Sequence, residues 1–309
     1  MENLITVIGS SNTDMVVKTA HLPVPGETVL GGRFFMNAGG KGANQAVAAA
    51  RLGGRVYFVA RTGNDIFGSQ ARQLFLDEKI NIDFVAIDTA NPSGIALIAV
   101  DDFAENLIVV APGANGNLQK EDIEKAAATI RKSMIILLQL EIPLDTVIYA
   151  SEMAYNAGTK VVLNPAPAMK LPDELLKKLY LITPNETEAE LLTGIHVHDE
   201  ISAEQAAGIL KNKGVQHVII TLGSKGAYYS SALDRMLIPA PRVTPVDTTA
   251  AGDVFNGALC VALAESMAMP AAIEFANRAA AVSVTRLGAQ ASAPFRREIG
   301  GGKEVMSDE

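Results

Sequence analysis

Short, mostly apolar runs without polar alternation are interleaved along this chain with longer stretches whose apolar positions recur every three or four residues. The runs at 4–8, 55–60, 133–140, 160–163, 179–183 and 217–222 predict strands buried on both faces, since a half-exposed strand would alternate. The 3.6-residue periodicity predicts helices over 41–52, 66–78, 120–132, 144–156, 172–178 and 202–213. End signals agree with these: Ser202 and Gln205 have capping-box spacing, Pro143 and Pro172 suit a first helical turn, and Gly53, Gly158 and Gly214 suit the position just past a helix end. Strand–helix–strand repetition predicts an α/β fold, a Rossmann-like three-layer sandwich with a mostly parallel central sheet.

Two segments break that rhythm. Residues 15–36 hold a strand pattern, the turn Pro23-Val-Pro-Gly26 and a second strand pattern ending in Arg33-Phe-Phe-Met36. Residues 93–110 hold two apolar strands around the polar turn 101–106, a hairpin signature. Neither segment has a helix. The expected division is a main domain of 1–14, 37–92 and 111–309 with a small β-sheet lid of 15–36 and 93–110. The Gly-rich, then acidic, stretch 300–309 is expected to be a frayed tail.

Composition narrows the function classes. With 26 Lys+Arg against 34 Asp+Glu, the net charge of −8 argues against a nucleic-acid binder. One cysteine in 309 residues excludes a disulfide framework and a cysteine-built metal site. No apolar run approaches the ~20 residues of a membrane helix, and no signal peptide is visible. A soluble cytoplasmic globular protein is expected.

Polar residues that follow apolar runs are the first candidates for chemistry, because open α/β sheets bind ligands beyond the carboxyl ends of their strands. Asn12, Asp14, Lys41, Asn44 and Glu141 form one such set, suited to the hydroxyls of a small polyol, although Asn12 and Asp14 also suit turns. Neither a Walker loop nor a dinucleotide fingerprint is present. Asn185 and Glu188 have capping-box spacing and equally suit a hydrated magnesium ion, which needs few protein carboxylates. Thr221-Leu-Gly-Ser-Lys-Gly226 is a glycine-rich turn that fits a nucleotide or a plain β-turn. The most informative stretch is Asp247-Thr-Thr-Ala-Ala-Gly-Asp253. Small residues Ala250, Ala251 and Gly252 precede the apolar helix pattern 254–264, where free N–H groups and the helix dipole favour an anion. Asp253 suits a first-turn acid, or a base taking a proton from an attacking hydroxyl. His196 and His198 read as a solvated loop, and Cys260 as a core residue.

Four segments then resemble one family. Gly39-Gly-Lys-Gly-Ala-Asn-Gln-Ala-Val-Ala-Ala-Ala-Arg-Leu-Gly53 and Asp247-Thr-Thr-Ala-Ala-Gly-Asp-Val-Phe-Asn-Gly-Ala258 resemble the two signatures of the ribokinase-like sugar kinases. Asn164-Pro-Ala-Pro-Ala168 and Pro184-Asn-Glu-Thr-Glu188 resemble intermediate family segments in the expected order, and the likeness runs from Ile5 to Pro294. The resemblance implies ATP-dependent transfer of the γ-phosphoryl group to the 5-hydroxyl of D-ribose, with Asp253 as general base and Ala250, Ala251 and Gly252 as the anion hole. It implies that Asn12, Asp14, Gly40, Lys41, Asn44, Glu141 and Asp253 hold the sugar. For ATP it implies Asn185, Thr221, Leu222, Gly223, Ser224, Lys225, Gly226, Gly252 and Asn277, the last at a position where the nearest family members more often carry His. Glu188 would serve Mg²⁺ through water. Potassium would activate next to the anion hole, at Asp247, Thr249, Ser283, Arg286, Gly288 and Ser292. The lid sheet would clasp a homodimer.

Alternatives remain open. The same chemistry on fructose, deoxyribose or a nucleoside changes only the acceptor. Lys41 as the lone cation argues against a sugar phosphate, and 5% aromatics with no Trp leaves little to stack a nucleoside base. A non-catalytic sugar or nucleotide sensor would keep the fold without the reaction.

Overall fold

In the computed structural model, which describes residues 3–103 and 105–299, the run Leu4–Ile8 forms strand β1 and is buried at all five positions. It is buried because it lies inside a nine-stranded sheet. The other strands are β2 (Asn12–Lys18), β3 (Arg33–Gly39), β4 (Arg55–Gly63), β5 (Asn81–Asp88), β6 (Gly94–Val100), β7 (Asn106–Ala111), β8 (Ile135–Leu138), β9 (Lys160–Leu163), β10 (Leu181–Ile182), β11 (His217–Thr221), β12 (Ala227–Ser230) and β13 (Arg235–Ile238). The large sheet runs β13-β12-β11-β10-β9-β8-β1-β4-β5 and the small one β3-β2-β6-β7. Pairing in the large sheet is parallel from β5 to β11, with Ile5 opposite both Val56 and Ile135, and antiparallel only at β12 and β13.

Helices cover both faces, so the three-layer α/β fold expected from the pattern is the one formed. They are α1 (Lys41–Arg51), α2 (Ile66–Asp77), α3 (Lys120–Lys125), α4 (Ala127–Lys132), α5 (Leu144–Asn156), α6 (Asp173–Leu176), α7 (Glu186–Thr193), α8 (Glu200–Asn212), α9 (Ala251–Ala264), α10 (Met269–Ser283) and α11 (Arg296–Ile299). One core joins β1 and β8 to α1, α2, α9 and α10 through Val47, Phe75, Leu259 and Ile273; the other joins the opposite face to α4, α5 and α8 through Ile130, Val147 and Leu210. Gly53, Gly158 and Gly214 follow helix ends at positive φ, as their chemistry suggests.

Several local expectations are corrected. The helix expected at 202 begins at Glu200, capped by Asp199, whose carboxylate accepts from the Ser202 N–H at 2.8 Å; Ser202 is the third residue of this capping box. The single helix over 120–132 is two, divided at Ala126, and 172–178 gives only the short α6. Pro143 and Pro172 stand one place earlier, as the N-caps of α5 and α6. Asn12–Asp14 and Asn37–Gly39 lie on β2 and β3, so strands of the small sheet reach into the site itself. The tail expected at 300–309 lies outside the described residues. Among those described, no helix is long and apolar enough to cross a membrane.

Candidate active site

β1 lies between β4 and β8, so the chain serves one side of the sheet first and the other later, leaving a crevice beyond the strand ends. A cavity of about 180 Å³ opens there. Of the residues singled out above, Lys41, Asn185, Glu188, Thr221, Ala250, Ala251, Gly252 and Asp253 line it together. A larger hollow of about 340 Å³, along residues 116–121 and 143–146, contains none of them.

The helix-start half of the cavity is built by α9. Ala250 caps it in the left-handed region, at φ 59°. The Ala251 N–H reaches the Thr248 carbonyl at a long 3.3 Å, and a Cβ placed on Gly252 would meet no atom within 4 Å. The glycine therefore faces open space at the end of a helix dipole, room that a phosphoryl group fits. Asp253, 5% exposed, is held by two amides: Asn44 Nδ2 donates to Oδ2 and Gln45 Nε2 to Oδ1, both at 2.9 Å. Burial pushes its carboxyl above the ordinary range, while Lys41, Asn44 and Gln45 pull the other way.

α1 adds Lys41 to the cavity wall, whereas Asn12, Asp14, Gly40, Asn44 and Glu141 lie beside Lys41 and Asp253 rather than in its lining. Gly40, at φ 86°, lets the chain turn into α1. A Cβ on Gly39 would lie 2.3 Å from Asp14 Oδ2, so only glycine lets that carboxylate rest on the backbone. Asp14 is pushed up to about 6, chiefly by burial and then by Glu141 and Asp253. Burial works against the Lys41 charge, but Asp253, Glu141, Glu188 and Asp14 outweigh it and hold the ammonium above its usual pKa. Glu141 Oε2 accepts from the Ser10 hydroxyl at 2.5 Å and the Lys41 N–H at 2.9 Å. Asn12 Oδ1 accepts from Asn115 Nδ2 at 2.7 Å, which fixes the orientation of its amide.

The remaining expected residues fall nearby with mixed roles. Asn185 and Glu188 form the capping box of α7, with Glu188 Oε2 accepting from the Asn185 N–H at 2.9 Å. Burial raises the Glu188 carboxyl. Glu188 nonetheless lines the cavity, and a single carboxylate with room for waters is a donor set that fits Mg²⁺. Gly223, Ser224 and Lys225 form a 3₁₀ turn closed by Gly226; Lys225 Nζ donates to the His198 carbonyl, and the Leu222 side chain is buried in the core. Asn277 does not offer a free face. Its amide donates to the carbonyls of Ile238 and Pro239, at 3.0 and 3.3 Å, and a Cβ on Gly226 would lie 2.1 Å from that same Ile238 oxygen. At the proposed potassium position, Asp247 accepts from the Thr249 and Gly288 N–H groups, and the Val246 and Asp247 N–H groups both reach the Val284 carbonyl. Two segments are thereby held side by side. The Ser283 and Ser292 hydroxyls donate to local carbonyls, the Arg286 side chain pairs with Glu298, and the Arg286 N–H donates to the Ser283 carbonyl.

Sequence reasoning missed Asn164, Thr183, Thr248 and Asn256 in the cavity wall, and Gln45, Gln139 and Ser10 behind it. Thr183 donates to Asn256 Oδ1 at 2.6 Å, and Asn256 Nδ2 donates to the Gly252 carbonyl at 2.8 Å. A signal existed for Gln45 and Gln139. Each is a polar residue inside an otherwise apolar pattern, and such a group is buried only when something bonds it. As expected, Cys260 is a buried core residue and His196 and His198 are exposed, paired with Glu190 and Asp199.

A family model described as pfkB family carbohydrate kinase matches residues 2–296. The chain is 46% identical over 298 residues to a ribokinase from Haemophilus influenzae, covering 96% of this chain and 97% of that one. It is 40% identical over 291 residues to a deoxyribokinase from Salmonella typhi, covering 94% and 95%. Among solved structures, an Arabidopsis thaliana ribokinase complexed with ribose and ATP superposes with a TM-score of 0.89 at 32% identity, covering 97% of this chain and 98% of the other.

Proposed function

The chain belongs to the pfkB family of carbohydrate kinases, and on that premise we propose that it transfers the γ-phosphoryl group of ATP to O5 of D-ribose. The observation that carries the reading is the buried Asp253 carboxylate beside the open face of Gly252, in one cavity at the start of α9. Asn12, Asp14, Gly40, Lys41, Asn44 and Glu141 hold the sugar. Asp253 accepts the O5 proton as O5 forms its bond to the γ-phosphorus, and the bond from that phosphorus to the bridging oxygen of ADP breaks. A sugar hydroxyl ionises too weakly at neutral pH to attack unaided, and a positioned base supplies about 10²–10⁴-fold. The amides at 250–252 stabilise charge on the transferring group through donors fixed before reaction. Glu188 would hold Mg²⁺ through water, and the ion would neutralise phosphate charge. ATP lies along Asn185 and residues 221–226, without Asn277, whose amide is committed to the Ile238 and Pro239 carbonyls, and the loop pair around Asp247 and Gly288 would take potassium.

The small sheet covers the sugar and pairs two copies into a homodimer. Its support is apolar exposure: Phe34 is 60%, Ile108 54% and Val109 66% exposed, on strands at the two open edges of the sheet. ATP as co-substrate suits a cytoplasmic enzyme.

The deoxyribokinase relative keeps 2-deoxyribose as a second acceptor. An ADP-release assay with ATP, magnesium and potassium, offered ribose, 2-deoxyribose, fructose and adenosine in turn, decides between them. The reading expects the highest kcat/KM with ribose. Preference for another acceptor moves the substrate, and ATP binding without turnover on any acceptor supports a sensor.

A further inference from the structure

We propose that Gln45, locked by Gln139 and Asn164, is a positioning residue that holds the Asp253 carboxylate in its reactive orientation; this rests on the reading of Asp253 as the base. Helices α1 and α9 meet unusually closely: a Cβ on Gly257 would lie 2.7 Å from the Gln45 carbonyl and 2.8 Å from Ala48 Cβ. Gly257 and Asp253 are one turn apart on the same face of α9, so this contact brings the Gln45 side chain to the carboxylate. Gln45 is fully buried and does not line the cavity, so it holds Asp253 from behind.

Its carboxamide has one workable orientation. Nε2 donates to Asp253 Oδ1 at 2.9 Å and to Asn164 Oδ1 at 3.0 Å, while Oε1 accepts from Gln139 Nε2 at 2.6 Å. A flip would turn an oxygen on two oxygens and an NH₂ on an NH₂. Asn164 is itself fixed, donating Nδ2 to the Thr183 carbonyl at 3.2 Å, and Gln139 is buried at the end of β8. Three buried amides, one on α1 and one just past the end of each of β8 and β9, thus set the plane of one carboxylate, and the donated bond favours its charged form.

The test is Gln45→Met, which keeps the length of the side chain and removes the donor. The expected result is a kcat lower by on the order of 10-fold, KM values for ribose and ATP unchanged within about 3-fold, and an acid limb of kcat displaced to higher pH. Gln139→Met, which frees the Gln45 amide to rotate, should move the same limb in the same direction by less, and it carries the test if Gln45→Met does not fold. Added to Asp253→Asn, Gln45→Met should lower turnover no further. An equal loss in that background, or an unmoved pH profile, overturns the inference. Near-normal turnover in Asp253→Asn alone would instead sink the reading of the base on which it rests.

Discussion

β8 and β7 are almost equally apolar, Ile-Ile-Leu-Leu against Asn-Leu-Ile-Val-Val-Ala, yet β8 is buried at all four positions and β7 is exposed at all six. The difference lies in what covers them. β8 sits between β1 and β9 with helices on both faces, whereas β7 is the edge of a four-stranded sheet. The two regions also divide the labour of the site. The α9 end is fixed in advance by buried amides and a helix dipole, while the small sheet brings Asn12 and Asp14 to its margin on strands whose apolar surface is left open. On the function proposed above, one end does the chemistry and the other covers the sugar.

The largest effect that separates the two ends is expected from Gly252→Ala. The added methyl meets no protein atom, and alanine in a helix is favoured over glycine by about 0.5–1 kcal/mol. The melting temperature should therefore hold or rise while kcat/KM falls by on the order of 10² through occupation of the phosphoryl space. Unchanged turnover would show that the phosphoryl group lies elsewhere. On the other side, Leu107→Asp with Val109→Asp in β7 should halve the mass measured by light scattering without unfolding the main sheet. A wild-type chain that is monomeric at micromolar concentration would remove the homodimer.

Asp14 stands at the junction and predicts the smallest effect. Its folded pKa of about 6 lies above the ordinary aspartate value of 3.8, so the folded state binds more protons than the unfolded state between those values. Asp14 therefore costs stability as pH rises from about 4 to 6, and the cost is complete above that. Asp14→Asn should melt roughly 2–4 °C higher than wild type at pH 7, with the gap growing between pH 4 and 6 and level above it, while sugar binding weakens. A gap independent of pH would contradict the burial of that charge.

Much of this was legible in the chain, and for physical reasons. Runs such as Leu4–Ile8 and His217–Thr221 announce doubly covered strands because alternation is absent. The small residues before Asp253 announce a helix start with room at its end. What was illegible was carried by residues without charge or distinctive spacing. β5, with a mixed burial pattern, gives a weak periodic signal. Ser202 suits a cap by residue type, but Asp199, three residues earlier, takes that place and leaves Ser202 inside the first turn. The amides of Gln45, Gln139 and Asn164 come from three distant parts of the chain, and only the sheet order brings them to one carboxylate.

The most direct test of the account is Asp253→Asn in rapid-quench transfer from ATP to ribose, beside calorimetric binding of each substrate. The account predicts that both substrates bind within about 3-fold of wild type while the transfer step slows by about 10²–10⁴-fold. Transfer at a near-normal rate would contradict it, because the proton would then be leaving O5 without the carboxylate around which α1, α9 and their buried amides are arranged.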